Sequence, residues 1–361
     1  MEKLTMDKKE LSKTLKQLKK CMVKSSLPIL GNVLIDTENN TITATNLGEA
    51  IIRNIEIEGA NENEFKCLIR HNFLTEAMKV LTEDKVAITI DENVITKFND
   101  SYTNIRLDEV KEFPTIPEVG ELKHVCDTNQ DMTKKLTNVL PKKTELGNYG
   151  VGYDSILFGE NRAVVTDGHR LYIAYLPVEN AALIPVAALR LAESLSKDFE
   201  IHSSNEFCRI TFDDGVIIAR NNSEQDISKY PKYKDIMVED WYEFVKMDSK
   251  ELMEMINASS PVLFNNSERH TIKVSFEKGE VQVAAVSDDG VEFKGNMLAP
   301  DLPVLDEGNN YFFANKDYCV DALKCFEGEF ELGVHKGGKI NNSVIMMKNN
   351  SFTAGIMPVR E

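Results

Sequence analysis

At 361 residues the chain exceeds what one core usually fills, because cores stop growing near ~250–300 residues, so several folded units are expected. A hydrophobic content of 42% with 28% charged residues is that of an ordinary soluble protein. With no apolar h-region at its start and no run near the ~20 residues a span requires, it reads as neither secreted nor membrane-embedded. The net charge of −16 argues against a nucleic-acid partner only if the total is considered and its distribution ignored.

Along the chain, Asp7 opens an amphipathic helix whose face carries Leu11, Leu15, Leu18 and Met22, with Glu10 completing a capping box. The run Leu27-Pro28-Ile29-Leu30-Gly31-Asn32 follows, and a second helical pattern covers 73–81 through Leu74, Ala77, Met78 and Leu81. Pro114, Pro117 and Gly120 mark a linker over 113–126. Asp131 caps a third helix through Met132, Leu136, Val139 and Leu140, and a fourth is read over 186–195. A second linker spans 230–246, with Pro231 and the charged run 235–243. Asp248 with Glu251 starts a fifth helix through Leu252, Met255 and Ile256; a sixth lies over 316–326, with Cys319, Val320, Leu323 and Phe326 on one face. Between them, short alternating runs are broken by turns, as in Lys273-Val274-Ser275-Phe276, Lys278-Gly279 and Val281-Gln282-Val283.

One pattern returns three times: Ala44-Thr45-Asn46-Leu47-Gly48, Val165-Thr166-Asp167-Gly168-His169 and Val286-Ser287-Asp288-Asp289-Gly290. Its hydroxyl residues stand 121 positions apart in both intervals, which predicts three copies of one domain. Each copy reads strand, helix, several antiparallel strands, helix, more strands, an α+β unit. Boundaries near 123 and 244 give domains 1–122, 123–243 and 244–361.

Cys21, Cys67, Cys126, Cys208, Cys319 and Cys325 lie far apart with no C-x-x-C pair, so reduced, buried thiols of a cytoplasmic protein are expected, without a metal or other cofactor. His71, His124, His202, His270 and His335 are scattered singly and suggest no ligand set. Basic charge is concentrated in helical windows. The first holds Lys8, Lys9, Lys13, Lys16, Lys19 and Lys20 against two acids, and the third holds four lysines against Asp131. The strands and loops are left acidic, a segregation that suits helices turned toward DNA; the same lysines would also simply solvate an amphipathic face.

The run Val164-Val165-Thr166-Asp167-Gly168-His169-Arg170-Leu171, the ending Met357-Pro358-Val359-Arg360 and the early Leu27-Pro28-Ile29-Leu30-Gly31-Asn32 together resemble the bacterial DNA polymerase III beta subunit, the sliding clamp, and the resemblance covers the whole length. It implies three clamp domains, each with two helices on antiparallel sheets, in a ring formed by a head-to-tail homodimer. It implies a non-catalytic processivity factor that encircles duplex DNA without reading sequence. The partners implied are the polymerase III alpha subunit, the clamp loader and other clamp-motif proteins. Carried over by position, the peptide groove comprises Thr166, Gly168, His169, Arg170, Leu171, Pro231, Ile236, Ser343, Ile356, Met357, Pro358, Val359 and Arg360. In that groove Arg170 and Arg360 would hold peptide carbonyls or a carboxylate. Lys24, Lys142 and Lys143 are the implied DNA contacts, and Tyr102 and Ile105 on one side with Leu263 and Phe264 on the other the implied dimer contacts. The chain departs from the family pattern at Asn46, Tyr153, Asp235 and the terminal Glu361. Two other readings stand beside this one: a diverged clamp that sequesters partners, and a hydrolase using Asp167 and His169.

Overall fold

A computed structural model describes residues 2–22, 27–59, 65–140, 154–221, 226–264, 270–277, 279–300, 302, 311–335 and 343–359. The element order repeats as expected: strand, helix, four strands, helix, three strands, in each third of the chain. A short extra helix, Ser260–Leu263, follows the fifth helix. The residues gather into two compact units. One is formed by Met1–Asp131 with Ala187–Gln225, the other by Met132–Val186 with Asp226–Glu361.

In the first unit the helices Lys8–Leu18 and His71–Val80 pack on each other. Asp7 accepts the Glu10 N–H at 2.8 Å, the cap read from sequence. Leu11, Leu15 and Leu18 are buried, as the spacing predicts, and the buried His71 holds Nε2 2.9 Å from the Leu15 carbonyl. A four-stranded antiparallel sheet runs in the order Glu2–Asp7, Lys85–Asp91, Val94–Phe98, Ser101–Arg106. An eight-stranded sheet runs Lys66–Arg70, Asn32–Asp36, Thr41–Thr45, Glu49–Asn54, Gly215–Arg220, Phe207–Phe212, Asp198–Ser203, Lys123–Asn129. Its central join pairs Glu49–Asn54 with Gly215–Arg220 so tightly that a Cβ on Gly215 would lie 2.5 Å from the Ile52 carbonyl.

The second unit follows the same plan. The helices Ser249–Ala258 and Lys316–Leu323 pack together, capped by Asp248 and Asn315. Its eight-stranded sheet runs Ala182–Pro185, Ser155–Gly159, Arg162–Thr166, Arg170–Tyr175, Phe352–Ile356, Ile345–Lys348, Glu329–His335, Tyr242–Asp248. A four-stranded sheet runs Glu292–Leu298, Glu280–Val286, Thr271–Glu277, Tyr311–Asn315.

Three sequence expectations need revision. The boundary drawn at 244 falls inside the strand Tyr242–Asp248. Asp131 is not a cap, since the third helix begins at Gln130, whose N–H is taken by the Lys197 carbonyl at 2.7 Å. The middle third contributes to both compact units, because its last strand pairs with the first third and its strand Arg170–Tyr175 pairs with the last. All six cysteines are free and buried, and burial pushes the thiols of Cys67, Cys126, Cys208, Cys319 and Cys325 up to about 12.

Candidate functional site

The motif at 166–171 is a turn held by its own side chains. Thr166 Oγ1 donates to the Arg170 carbonyl at 2.8 Å and accepts the Gly168 N–H at 3.1 Å. Asp167 Oδ1 accepts the N–H groups of His169 and Arg170, both at 2.9 Å. Gly168 sits at φ +86, a conformation that favours glycine. The carboxyl-terminal residues join this turn through the sheet. Arg170 pairs with Ile356 and Leu171 with Gly355, and past the strand end the Met357 N–H reaches the His169 carbonyl at 2.8 Å. Val359 is tied to the Phe313 carbonyl at 2.8 Å.

An apolar floor lies beneath. Leu171 packs in a buried cluster with Val164, Ile173, Leu183, Tyr230 and Tyr233, with Met237 against it. The Tyr230 hydroxyl donates to the Val164 carbonyl at 2.8 Å, so the segment carrying Pro231 is fixed onto the sheet. A Cβ on Gly355 would lie 2.7 Å from Met237 Sδ and 2.9 Å from Val344 Cγ1, so glycine lets these side chains meet the strand. Ile236 and Met357 are exposed beside this floor, Pro358, Val359 and Ser343 are half-buried, and Ile356 is buried. Beside Pro231 opens a cavity of about 340 Å³ lined by Leu157, Ile227, Tyr230 and Tyr233. Thr166, Gly168, His169, Arg170, Leu171, Ile356 and Met357 are thus brought together at the ends of three neighbouring strands, Arg162–Thr166, Arg170–Tyr175 and Phe352–Ile356. Arg360 lies outside the described residues, as do Tyr153 and Glu361.

Arg170 occupies a different place from the one expected of a peptide-facing donor. Its side chain is 10% exposed and makes ion pairs with Asp167 at 3.0 Å and Asp321 at 2.9 Å. It also donates to the Val139 carbonyl at 3.0 Å and covers the Tyr318 ring. With its charged fork turned inward to two carboxylates, it locks the turn to the helix Lys316–Leu323. His169, exposed, stacks on Tyr318 at 6.3 Å and has no side-chain hydrogen bond to Asp167, whose oxygens serve the turn and Arg170. The Asp167–His169 pair therefore lacks the geometry of a hydrolytic dyad. No motif in the sequence marks Met237, Tyr318, Tyr233 or Asp321; Tyr233 lies two positions after Pro231 in Tyr230-Pro231-Lys232-Tyr233.

Elsewhere, Lys9 and Lys16 on the first helix and Lys19 at its C-cap are exposed and make no ion pair among the described residues, whereas Lys13 pairs with Asp214 at 3.3 Å. Lys24, Lys142 and Lys143 lie outside the described residues. Tyr102 and Phe264 are 83% and 85% exposed and Ile105 is half-buried. Leu263 is 1% exposed and is removed from the contact pair. Adjacent residues on a helical turn point ~100° apart, so Leu263 turns into its own core when Phe264 turns out.

Residues 2–117 match the family model of the DNA polymerase III beta subunit, N-terminal domain. The structure matches a putative DNA polymerase III beta subunit from Eubacterium rectale with a TM-score of 0.83 at 19% identity, covering 100% of both chains. Its fold is that of the bacterial beta sliding clamps. The Bacillus subtilis sliding clamp matches this clamp fold at a TM-score of 0.82 and 16% identity over 99% of both chains. A Pseudomonas aeruginosa sliding clamp bound to griselimycin matches it at 0.81 and 20% identity, again over 99% of both. In sequence, the beta sliding clamp homolog GriR of Streptomyces muensis is 22% identical over 301 residues, 77% of this chain and 76% of the homolog. Among the described residues no helix of this clamp fold is long and apolar enough to cross a membrane.

Proposed function

We propose that the chain is a DNA polymerase processivity factor, a sliding clamp of three clamp domains that dimerises head to tail, encircles duplex DNA and recruits partners through the groove around Thr166. The observation that carries this reading is the meeting of the 166–171 turn with the carboxyl-terminal strand over an apolar floor. An exposed Met357 tied to His169 and an exposed Ile236 tied to Tyr233, at the margin of the buried Leu171 cluster, offer an adaptable seat for the apolar anchors of a short linear peptide. The chain acts without catalysis and without a cofactor, its partners being the replicative polymerase, a clamp loader and other proteins that carry the clamp-binding motif.

Ring closure is supported by two sheet edges that carry no further strand among the described residues. Ser101–Arg106 ends the four-stranded sheet of the first unit and Glu292–Leu298 that of the second. Both alternate toward solvent, exposing Tyr102 and Leu298. Unpaired edges with apolar side chains are templates for another chain, and pairing one copy's first edge with another's second uses both. The exposed lysines of the first helix then serve sequence-independent phosphate contact.

Two buried anchors at roughly 1.5–3 kcal/mol each, with several hydrogen bonds at about 0.5–1.5 kcal/mol and a loss to ordering, predict micromolar affinity, about −8 kcal/mol. Deleting Met357–Glu361 should abolish calorimetric binding of a Gln-x-x-Leu-x-Phe peptide while the dimer survives. Unchanged affinity in the truncated dimer would remove the groove assignment. At 22% identity the S. muensis homolog does not fix how partners are used, and the second reading is a diverged, mobile-element clamp that sequesters host partners. Primer extension decides, since that protein would inhibit a cognate polymerase instead of lengthening its products.

A further inference from the structure

The first unit contains a cleft built, bond for bond, on the plan of the groove around Thr166. Thr45 Oγ1 donates to the Glu49 carbonyl at 2.9 Å and accepts the Leu47 N–H at 3.1 Å, as Thr166 does for Arg170 and Gly168. Asn46 Oδ1 accepts the N–H groups of Gly48 and Glu49 at 2.9 and 2.8 Å, in the place of Asp167. On the neighbouring strand the Arg220 N–H reaches the Gly48 carbonyl at 3.2 Å, the counterpart of Met357 on His169. Between this turn and the 114–117 segment opens a cavity of about 290 Å³. Its walls include Leu47, Pro114, Ile116, Phe207 and Arg220.

Two features set it apart from its counterpart. Leu47 takes φ +78 where the other turn has glycine, a strained conformation for a branched side chain, yet it is 59% exposed and recovers little by packing. Arg220 is exposed and makes no ion pair among the described residues, so the cleft offers an apolar knob next to an uncommitted cation.

We infer that this cleft is a second peptide site, taking an extended segment that places an apolar anchor against Leu47, Ile116 and Phe207 and a carboxylate at Arg220. The class of ligand rests on the reading of the first groove; the cleft itself does not. Arg220 stands where the other groove has Met357, so complementarity selects an acidic neighbour to the anchor here. The full chain would then hold two peptides of different preference.

The test is calorimetry of the full chain with the synthetic peptide Gln-Ala-Asp-Leu-Asp-Phe. Two sites per chain are expected, one of which survives deletion of Met357–Glu361, or Met357→Asp if the deletion does not fold. Leu47→Gly and Arg220→Glu should each weaken the surviving site by about tenfold or more. Leu47→Gly should also keep or raise the melting temperature, since glycine relaxes the turn. A single site abolished by the Met357 changes overturns the second cleft and leaves the groove standing. A single site lost in Leu47→Gly and Arg220→Glu, and indifferent to Met357, overturns the groove alone. Two sites that ignore Leu47 and Arg220, or no binding at all, overturn the inference.

Discussion

If the chain dimerises as proposed, Phe264→Asp should yield monomers by sedimentation and leave the melting temperature nearly unchanged, whereas Leu263→Asp should unfold the second unit. The two residues are neighbours, but Phe264 is 85% exposed and Leu263 is 1% exposed. A charge at Phe264 meets only water in the separated chain, and in the proposed assembly it would be forced into an apolar contact opposite Tyr102, where an unpaired buried charge costs several kcal/mol. A charge at Leu263 enters the core of its own chain, a loss on the order of the 3–5 kcal/mol tail of single substitutions. Equal dimer content for Phe264→Asp and the wild type at micromolar concentration would mean that this face is not the contact.

Arg170→Ala should lower stability by about 3–5 kcal/mol and remove the proposed peptide binding with it. The guanidinium lies between Asp167, 8% exposed, and Asp321, 35% exposed. Its removal leaves the first carboxylate buried without its cation, the costly way to break such a pair. The half-exposed Asp321 regains water, so the larger share of the loss falls on the turn at 166–171, which also loses its attachment to the Val139 carbonyl and Tyr318. The double change Arg170→Met with Asp167→Asn should recover part of the stability. A melting shift in Arg170→Ala equivalent to less than ~1 kcal/mol would return Arg170 to the role of a surface donor for the peptide.

What was legible in the chain was local. The Asp7 and Asp248 caps, the apolar faces of the helices and the three turns follow from residues within a few positions of each other, and the structure reproduces them. The start of the third helix was missed because the partner of the Gln130 N–H is the distant Lys197 carbonyl. Arg170 was read as a ligand-facing donor because Asp321, 151 positions away, is invisible to any spacing rule. Leu263 and Phe264 look equivalent in sequence, and only a short helix beginning at Ser260 tells them apart. Met237 and Tyr318 reach the groove through tertiary packing, against Gly355 and His169 respectively, and no motif announces them.

Enclosure would let an acidic chain hold DNA by topology and not by affinity. Loaded by a cognate clamp loader onto a nicked circular duplex at moderate salt, the protein should remain bound through gel filtration. It should run off within minutes once a restriction enzyme linearises the circle. Phosphate contacts alone would show the same retention on both forms and a steep loss with salt on both. Enclosure requires retention on the circle with release from the linear form, and equal retention on the two would rule it out.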